Sequence, residues 1–328
     1  MKRILFTVVL AVLVLNGFAQ ETQREKTFKI TGSPIVTVFA NYHAGIGNAN
    51  KESGFALDRA YLGYQFKLTE QLTGKVVFDM GSTKVAGSDL ERVVYVKNAM
   101  LSWKTGDLTL DFGLIALEQF NVQEKFWGYR YILKSFQDEY KFGSSADMGI
   151  IGKYKFADWF SVDVTIMNGE GYKKLNGDNK YRYGVGLTIK PITGVTLRAY
   201  TDLASKNIEG EDTKDQQTLA FFAGYKNKAF SLGAEYNSMY NTKFKEDKDQ
   251  SGYSVYSTIV LNKKVNVFGR YDNLSSKDDW NSADGQRLLF GVQFSPIKQL
   301  KLAPNFTSWN PASGNSFSCI YLNLEFKL

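Results

Sequence analysis

The chain has 328 residues, 44% of them hydrophobic, and sets 40 Lys and Arg against 33 Asp and Glu for a formal charge of +7. The charges are spread along the chain, which excludes the clustered footprint of a nucleic-acid binder. A single cysteine, Cys319, excludes an intrachain disulfide. With 29 Gly, only 5 Pro, 24 Phe, 19 Tyr and 5 Trp, the composition fits a β-rich protein, including one that crosses a membrane with strands.

Lys2 and Arg3 open the chain, followed by an apolar run from Ile4 to Leu15 and then Asn16-Gly17-Phe18-Ala19. This pattern predicts a secretory signal cut after Ala19, because about 12 apolar residues are too few to span a bilayer. No cysteine follows the cut, so no lipid anchor is expected there. Loss of the leader, 1–19, lowers the formal charge to +5. No Pro/Ser-rich linker divides the remainder, and 20–328 reads as one unit.

That unit is a succession of period-2 segments. Strands are expected at 34–46, 54–69, 73–83, 92–105, 108–116, 145–156, 160–170 and 181–191. Eight more follow at 195–205, 216–227, 229–240, 251–262, 265–275, 285–296, 299–310 and 316–328. Phe160, Val162, Val164 and Ile166 share one face, opposite Ser161, Asp163 and Thr165; Leu288, Phe290, Val292 and Phe294 oppose Arg287, Gly291 and Gln293. Short links such as Gly106-Asp107 and Ile192-Thr193-Gly194 alternate with longer polar ones such as 171–180 and 241–250. Short turns at one rim and long loops at the other are the mark of an outer-membrane barrel. The fold class is therefore all-β, a 16-stranded antiparallel transmembrane β-barrel. The last segment, "YLNLEFKL", is expected to pair with the first strand and close the wall, with Ile320, Leu322, Leu324, Phe326 and Leu328 toward lipid.

The third long link, 117–144, is too aromatic to stand in water. It carries Phe120, Phe126, Trp127, Tyr129, Tyr131, Phe136, Tyr140 and Phe142 among charges of both signs. A barrel of sixteen strands leaves a wide bore, so this loop is expected to fold inward and narrow it, with a short helix from Glu118 to about Lys125.

Sixteen strands, an inward third loop and a leader resemble general bacterial porins. The stretches "FGLIALEQFNVQEKFWGYRYILKSFQDEYKFGSSADMGI" and "GFALDRAYLGYQFKL" more narrowly resemble the phosphate-selective porin O and P family, in the form found in Bacteroidetes. The resemblance implies passive passage of ions and small hydrophilic solutes across the outer membrane of a Gram-negative bacterium, with a homotrimer as the suggested assembly. It also implies an arginine at the entry to the sixth strand, where this chain has Asp147 instead.

Three sets of charges are candidates for the path. In the loop, Lys125, Arg130, Lys134 and Lys141 oppose Glu118, Glu124, Asp138 and Glu139 as a constriction, or else pair with one another and pin the loop. In the luminal phase stand Arg59, Arg182, Arg198, Arg270 and Arg287, mixed with Asp79, Asp147, Asp163, Asp202, Glu235 and Asp272. At the short-turn rim, on the periplasmic side, Lys67, Lys104, Lys155, Lys190, Lys226 and Lys327 form a mouth of ammonium groups that attract anions or meet lipid headgroups. The acids are expected deeper or nearer the long-loop rim, away from that ring.

Nothing supports catalysis or a metal. His43 is the only histidine, and neither a nucleophile–base pair nor acidic spacing of the calcium-loop type is present, so no cofactor is expected. The expected function is a weakly anion-preferring diffusion porin in contact with outer-membrane lipid. Its rivals are a substrate-specific channel for a sugar or peptide, with Tyr61, Phe268 and Tyr321 as stacking rings, and a plugged structural or docking barrel.

Overall fold

The computed structural model describes residues 29–47, 52–82, 92–174, 177, 179–206, 210 and 212–328. The leader, 1–19, lies outside them. Sixteen strands run through the described residues. They are β1 (Thr31–Ile46), β2 (Ser53–Lys67), β3 (Leu72–Ser82), β4 (Arg92–Thr105), β5 (Leu108–Ala116), β6 (Ala146–Ala157), β7 (Phe160–Met167) and β8 (Arg182–Ile189). The second half comprises β9 (Val195–Ala204), β10 (Gln216–Lys226), β11 (Phe230–Tyr240), β12 (Gln250–Val260), β13 (Val265–Ser276), β14 (Gly285–Ile297), β15 (Leu300–Pro311) and β16 (Phe317–Lys327).

Each strand pairs antiparallel with its sequence neighbours, and β16 pairs with β1 to close the barrel. Closure leaves no strand edge unpaired, the condition that hydrocarbon imposes on a sheet. At the seam Thr37 faces Lys327 and Ala44 faces Ile320, and the Leu328 N–H donates to the Val36 carbonyl at 3.1 Å.

The expected strands sit within a few residues of those observed. Two differences have local causes. Strand β2 stops at Lys67 because Thr69 Oγ1 accepts the Gln71 and Leu72 N–H groups and starts the turn. Strand β7 stops at Met167 because Asp147 Oδ2 takes the N–H groups of Gly169 (2.9 Å) and Gly171 (3.1 Å), at positive φ of 109° and 82°. Those amides are spent on a side chain and cannot extend a ladder.

The side-chain period decides inside from outside. Leu62, Phe112, Val164, Phe221, Phe290 and Leu322 are exposed on the outer face, an apolar band of the kind a bilayer requires. The buried aromatics lie inside instead. Phe39, Tyr61, Phe222, Tyr256 and Phe268 of the wall form one cluster with Trp127, Tyr129, Tyr131 and Leu133 of the third loop. Phe136, Tyr140 and Phe142 form a second with Met239 and Leu274. The barrel's core is its loop, and each buried ring contributes about 2–3 kcal/mol to keeping it inside.

Candidate permeation path

The loop enters the lumen as a helix, α1 (Glu118–Trp127), followed by one short turn of helix, α2 (Phe136–Glu139). Glu118 in the first turn and Lys125 in the last match the helix dipole, and Gly128, at φ 78°, ends α1 by donating its N–H to the Glu124 carbonyl. Gln119, Phe120, Gln123 and Trp127 make the buried stripe of α1. Arg198 Nε on β9 donates to Gln119 Oε1 at 2.7 Å.

Ring packing fixes the rest. Phe126 meets Phe222 with centroids 5.0 Å apart, Trp127 meets Tyr256 at 5.2 Å, and Tyr129 meets Phe268 at 4.4 Å. The Tyr131 hydroxyl donates to Gln293 Oε1 at 3.0 Å, Gln137 Nε2 to Asn237 Oδ1 at 2.6 Å, and Arg270 Nη1 to the Lys134 carbonyl at 2.6 Å. The wall makes room with glycine. A Cβ on Gly252 would stand 2.5 Å from Phe136 Cζ, and one on Gly224 would overlap the Phe126 ring.

The loop charges expected at a constriction are largely paired. Arg130 reaches Asp138 at 2.8 Å and Glu124 at 3.2 Å, while Glu139 lies between Lys134 at 3.9 Å and Arg287 at 3.2 Å. Burial raises the Asp138 carboxyl, but Arg130 and then Lys134 more than offset it, holding it below the ordinary aspartate range. Lys125 and Lys141 are exposed. Glu118 turns to the inner side of the loop, and Lys141 takes a left-handed backbone at φ 62°.

Of the luminal set, Arg182, Arg198 and Arg270 are buried, the last two against the third loop. They pair with Asp202, Asp163 and Asp272, each at 2.7 Å. Asp147 is likewise buried and serves as a backbone anchor, accepting the N–H groups of Met148, Gly169 and Gly171. Arg59 and Arg287 reach open space, although Asp79 holds Arg59 at 2.7 Å.

Two chambers flank the loop. The outer one, about 310 Å³, is walled by Asp58, Arg59, Arg287 and Tyr321 together with the loop residues from Arg130 to Lys134 and Glu139. The inner one, about 560 Å³, opens at the short-turn rim beside Glu118, Lys125 and Phe126. Four of the rim lysines line it, Lys104, Lys155, Lys190 and Lys226, joined by Lys125 and Lys153. The acids were expected deeper or nearer the long-loop rim, but two stand at this one. Asp158, in the turn after β6, sits 2.5 Å from Lys155, three residues before it. Asp107 also lines the chamber. Lys67 and Lys327, exposed at the ends of β2 and β16, lie outside this recess.

Three charged residues on the path were not anticipated. Strand β2 carries a bulge at Asp58, the residue skipped between Arg59, which faces Phe39, and Leu57, which faces Ala40. Strand β4 carries another at Lys97, skipped between Asn98 and Val96. An extra residue resets the alternation, so Asp58 joins Arg59 on the chamber wall and Lys97 joins Asn98 inside. Lys97 Nζ lies 4.9 Å from the Tyr61 ring and 5.7 Å from that of Tyr172. Lys75 needed no bulge. Counting back from Asp79 at period 2 would have found it on the luminal face.

Among solved structures, the chain is similar to the outer membrane channel DcaP of Acinetobacter baumannii, with TM-score 0.68 and 12% identity over 94% of this chain and 100% of that one. It is similar to OmpF of Salmonella typhi, solved with daunomycin, with TM-score 0.69 and 12% identity over 90% and 97%. An anion-selective porin from Comamonas acidovorans gives TM-score 0.67 and 11% identity over 92% and 100%. The chain shares their fold. No family model and no curated protein matches it, so the resemblance to the phosphate-selective O and P family rests on the stretches quoted above.

Proposed function

We propose that the chain is an outer-membrane diffusion pore for ions and small hydrophilic solutes, secreted with a cleaved leader and weakly preferring anions. The observation that carries the anion preference is the company Lys75 keeps. Its strongest charged neighbours are Lys97, Lys125 and Lys327, all of its own sign. Asp111 is committed to Lys153 at 2.8 Å and Glu325 to Lys301 at 2.5 Å. Unbalanced ammonium groups in a confined lumen concentrate anions. The anion selectivity of the Comamonas porin is in keeping with this reading.

Phosphate specificity is not part of the proposal, since Asp147 stands where an arginine would be needed and is spent on backbone amides. A sugar track is not favoured either, because Tyr61 and Phe268 are buried under the loop. For assembly, we propose a homotrimer, a form in which OmpT of Vibrio cholerae has been described.

The test is reversal potential across a KCl gradient in a planar bilayer. Anion preference is expected, and a clearly cation-selective pore would overturn it. Deleting Gln123 to Gln137 should enlarge the conductance. A silent wild type that opens on this deletion would favour the plugged-barrel reading, which the dense ring packing of the loop otherwise supports.

A further inference from the structure

The chambers on the two sides of the loop differ in charge as well as in place. On the outer side, the cations Arg59, Arg130, Lys134 and Arg287 are matched by Asp79, Asp138, Glu124 and Glu139, and Asp58 is added without a cation of its own within 4 Å among the described ion pairs. That side is close to neutral. On the inner side Lys104, Lys125, Lys190 and Lys226 line the recess outside any ion pair among the described residues, against Asp107 and Glu118, which are likewise unpaired there, so two ammonium groups remain in excess. Lys97, beside the Tyr61 hydroxyl that Arg130 also reaches, offsets Asp58 on the outer side, so the net cationic excess lies in the short-turn half.

We infer that the pore rectifies: at low salt it passes anion current more readily from the short-turn chamber to the long-loop side than in the reverse direction. The inference rests on the pore reading above. In the cationic half, current is carried almost wholly by anions; in the neutral half, anions and cations share it. When anions are driven from the cationic half into the neutral half, more arrive at the junction than leave it. Cations drawn the opposite way arrive there too and are refused by the lysines. Both ions accumulate, and conductance rises. Reversing the voltage depletes the junction of both, and conductance falls. A passive pore gains no net transport from this at equilibrium; only the resistance depends on direction.

Screening sets the range. The Debye length is about 30 Å at 0.01 M salt, long enough for the lysines to govern the whole recess, and about 3 Å at 1 M, where each ammonium acts alone. The ratio of currents at opposite voltages of equal size should therefore be about 1.5 or more near 0.01 M and about 1 near 1 M.

The experiment is the current–voltage curve of single pores in symmetric KCl at both concentrations. Lys190→Cys, blocked by a bulky thiol-reactive polymer added to one chamber, identifies the side that the short turns face; native Cys319 is buried and does not interfere. Wild type should rectify with the stated sign at low salt. The triple variant Lys104→Gln, Lys190→Gln, Lys226→Gln alters only exposed side chains and should move the ratio toward 1 while remaining open. A straight line for wild type at low salt, rectification of opposite sign, or an unchanged ratio in the triple variant would each overturn the inference and leave the pore standing. A wild type that conducts nothing would overturn both.

Discussion

Arg130 Nη1 stands 2.8 Å from Asp138 Oδ2 and 3.2 Å from Glu124 Oε2, so one guanidinium ties the helical and the returning halves of the third loop together. Its Nη2 also donates to the Tyr61 hydroxyl at 3.2 Å, joining both halves to β2. Replacing it by methionine would leave two carboxylates partly buried without their cation. The expected loss is about 1–3 kcal/mol of loop docking, seen as increased open-channel current noise in single-pore recordings. Noise no greater than wild type would show that ring packing alone holds the loop.

The same pair has a pH signature. Asp138 titrates below its ordinary value because Arg130 and Lys134 outweigh its burial. A depressed carboxyl contributes stability that is complete above the ordinary aspartate value and is lost as pH falls through the lower one. Loop docking should thus hold down to about pH 4 and weaken only below it. Asp138→Asn should be noisy throughout and show no such onset; the same acid onset in that variant would place the titrating group elsewhere.

Gly224 lies beneath the Phe126 ring, with Phe222 Cζ at 2.7 Å from where a Cβ would be. Leucine there should displace Phe126 from the wall and push α1 into the lumen. A lower conductance with the barrel still folded is expected, and a conductance equal to wild type would mean that α1 does not border the path.

Phe326 belongs to the outward face of β16, at the seam, opposite Val38. A carboxylate on that face is costly in lipid, and Phe326→Asp should impair insertion and the heat-modifiable mobility of folded barrels in SDS gels. Deleting Ile320 to Leu328 removes the partner of β1 and should abolish that form. Normal folding of the truncated chain would contradict the closed barrel.

Lys75→Glu together with Lys97→Glu replaces two like-charged neighbours by carboxylates beside Lys125 and Lys327. Reversal potentials should shift toward cation preference. No shift would place the selective charges at the rim instead.

Alternation made the strands legible because lipid outside and water inside impose opposite demands on successive residues. The inward loop was legible from its aromatics, which have nowhere else to go. What period 2 cannot carry is a residue that breaks it, and Asp58 and Lys97 are of that kind. Pairing was hidden for another reason. Arg198 meets Asp163, two strands away on the wall, and Gln119 of the loop, and no local pattern encodes contacts between such distant parts of the chain. Nor does a strand pattern say what a wall glycine is for: Gly224 and Gly252 are the seats of Phe126 and Phe136.

The seam between β1 and β16 joins segments nearly the whole chain apart, Thr37 to Lys327. Every other rung of the wall links neighbours and can form as soon as its two strands exist. This one has to wait. Until β16 arrives, a partly built sheet carries two raw edges and cannot rest in lipid, so the final strand acts as the latch of assembly. Slowing that step should lengthen the life of an open, aggregation-prone sheet far more than weakening any rung in the middle of the wall.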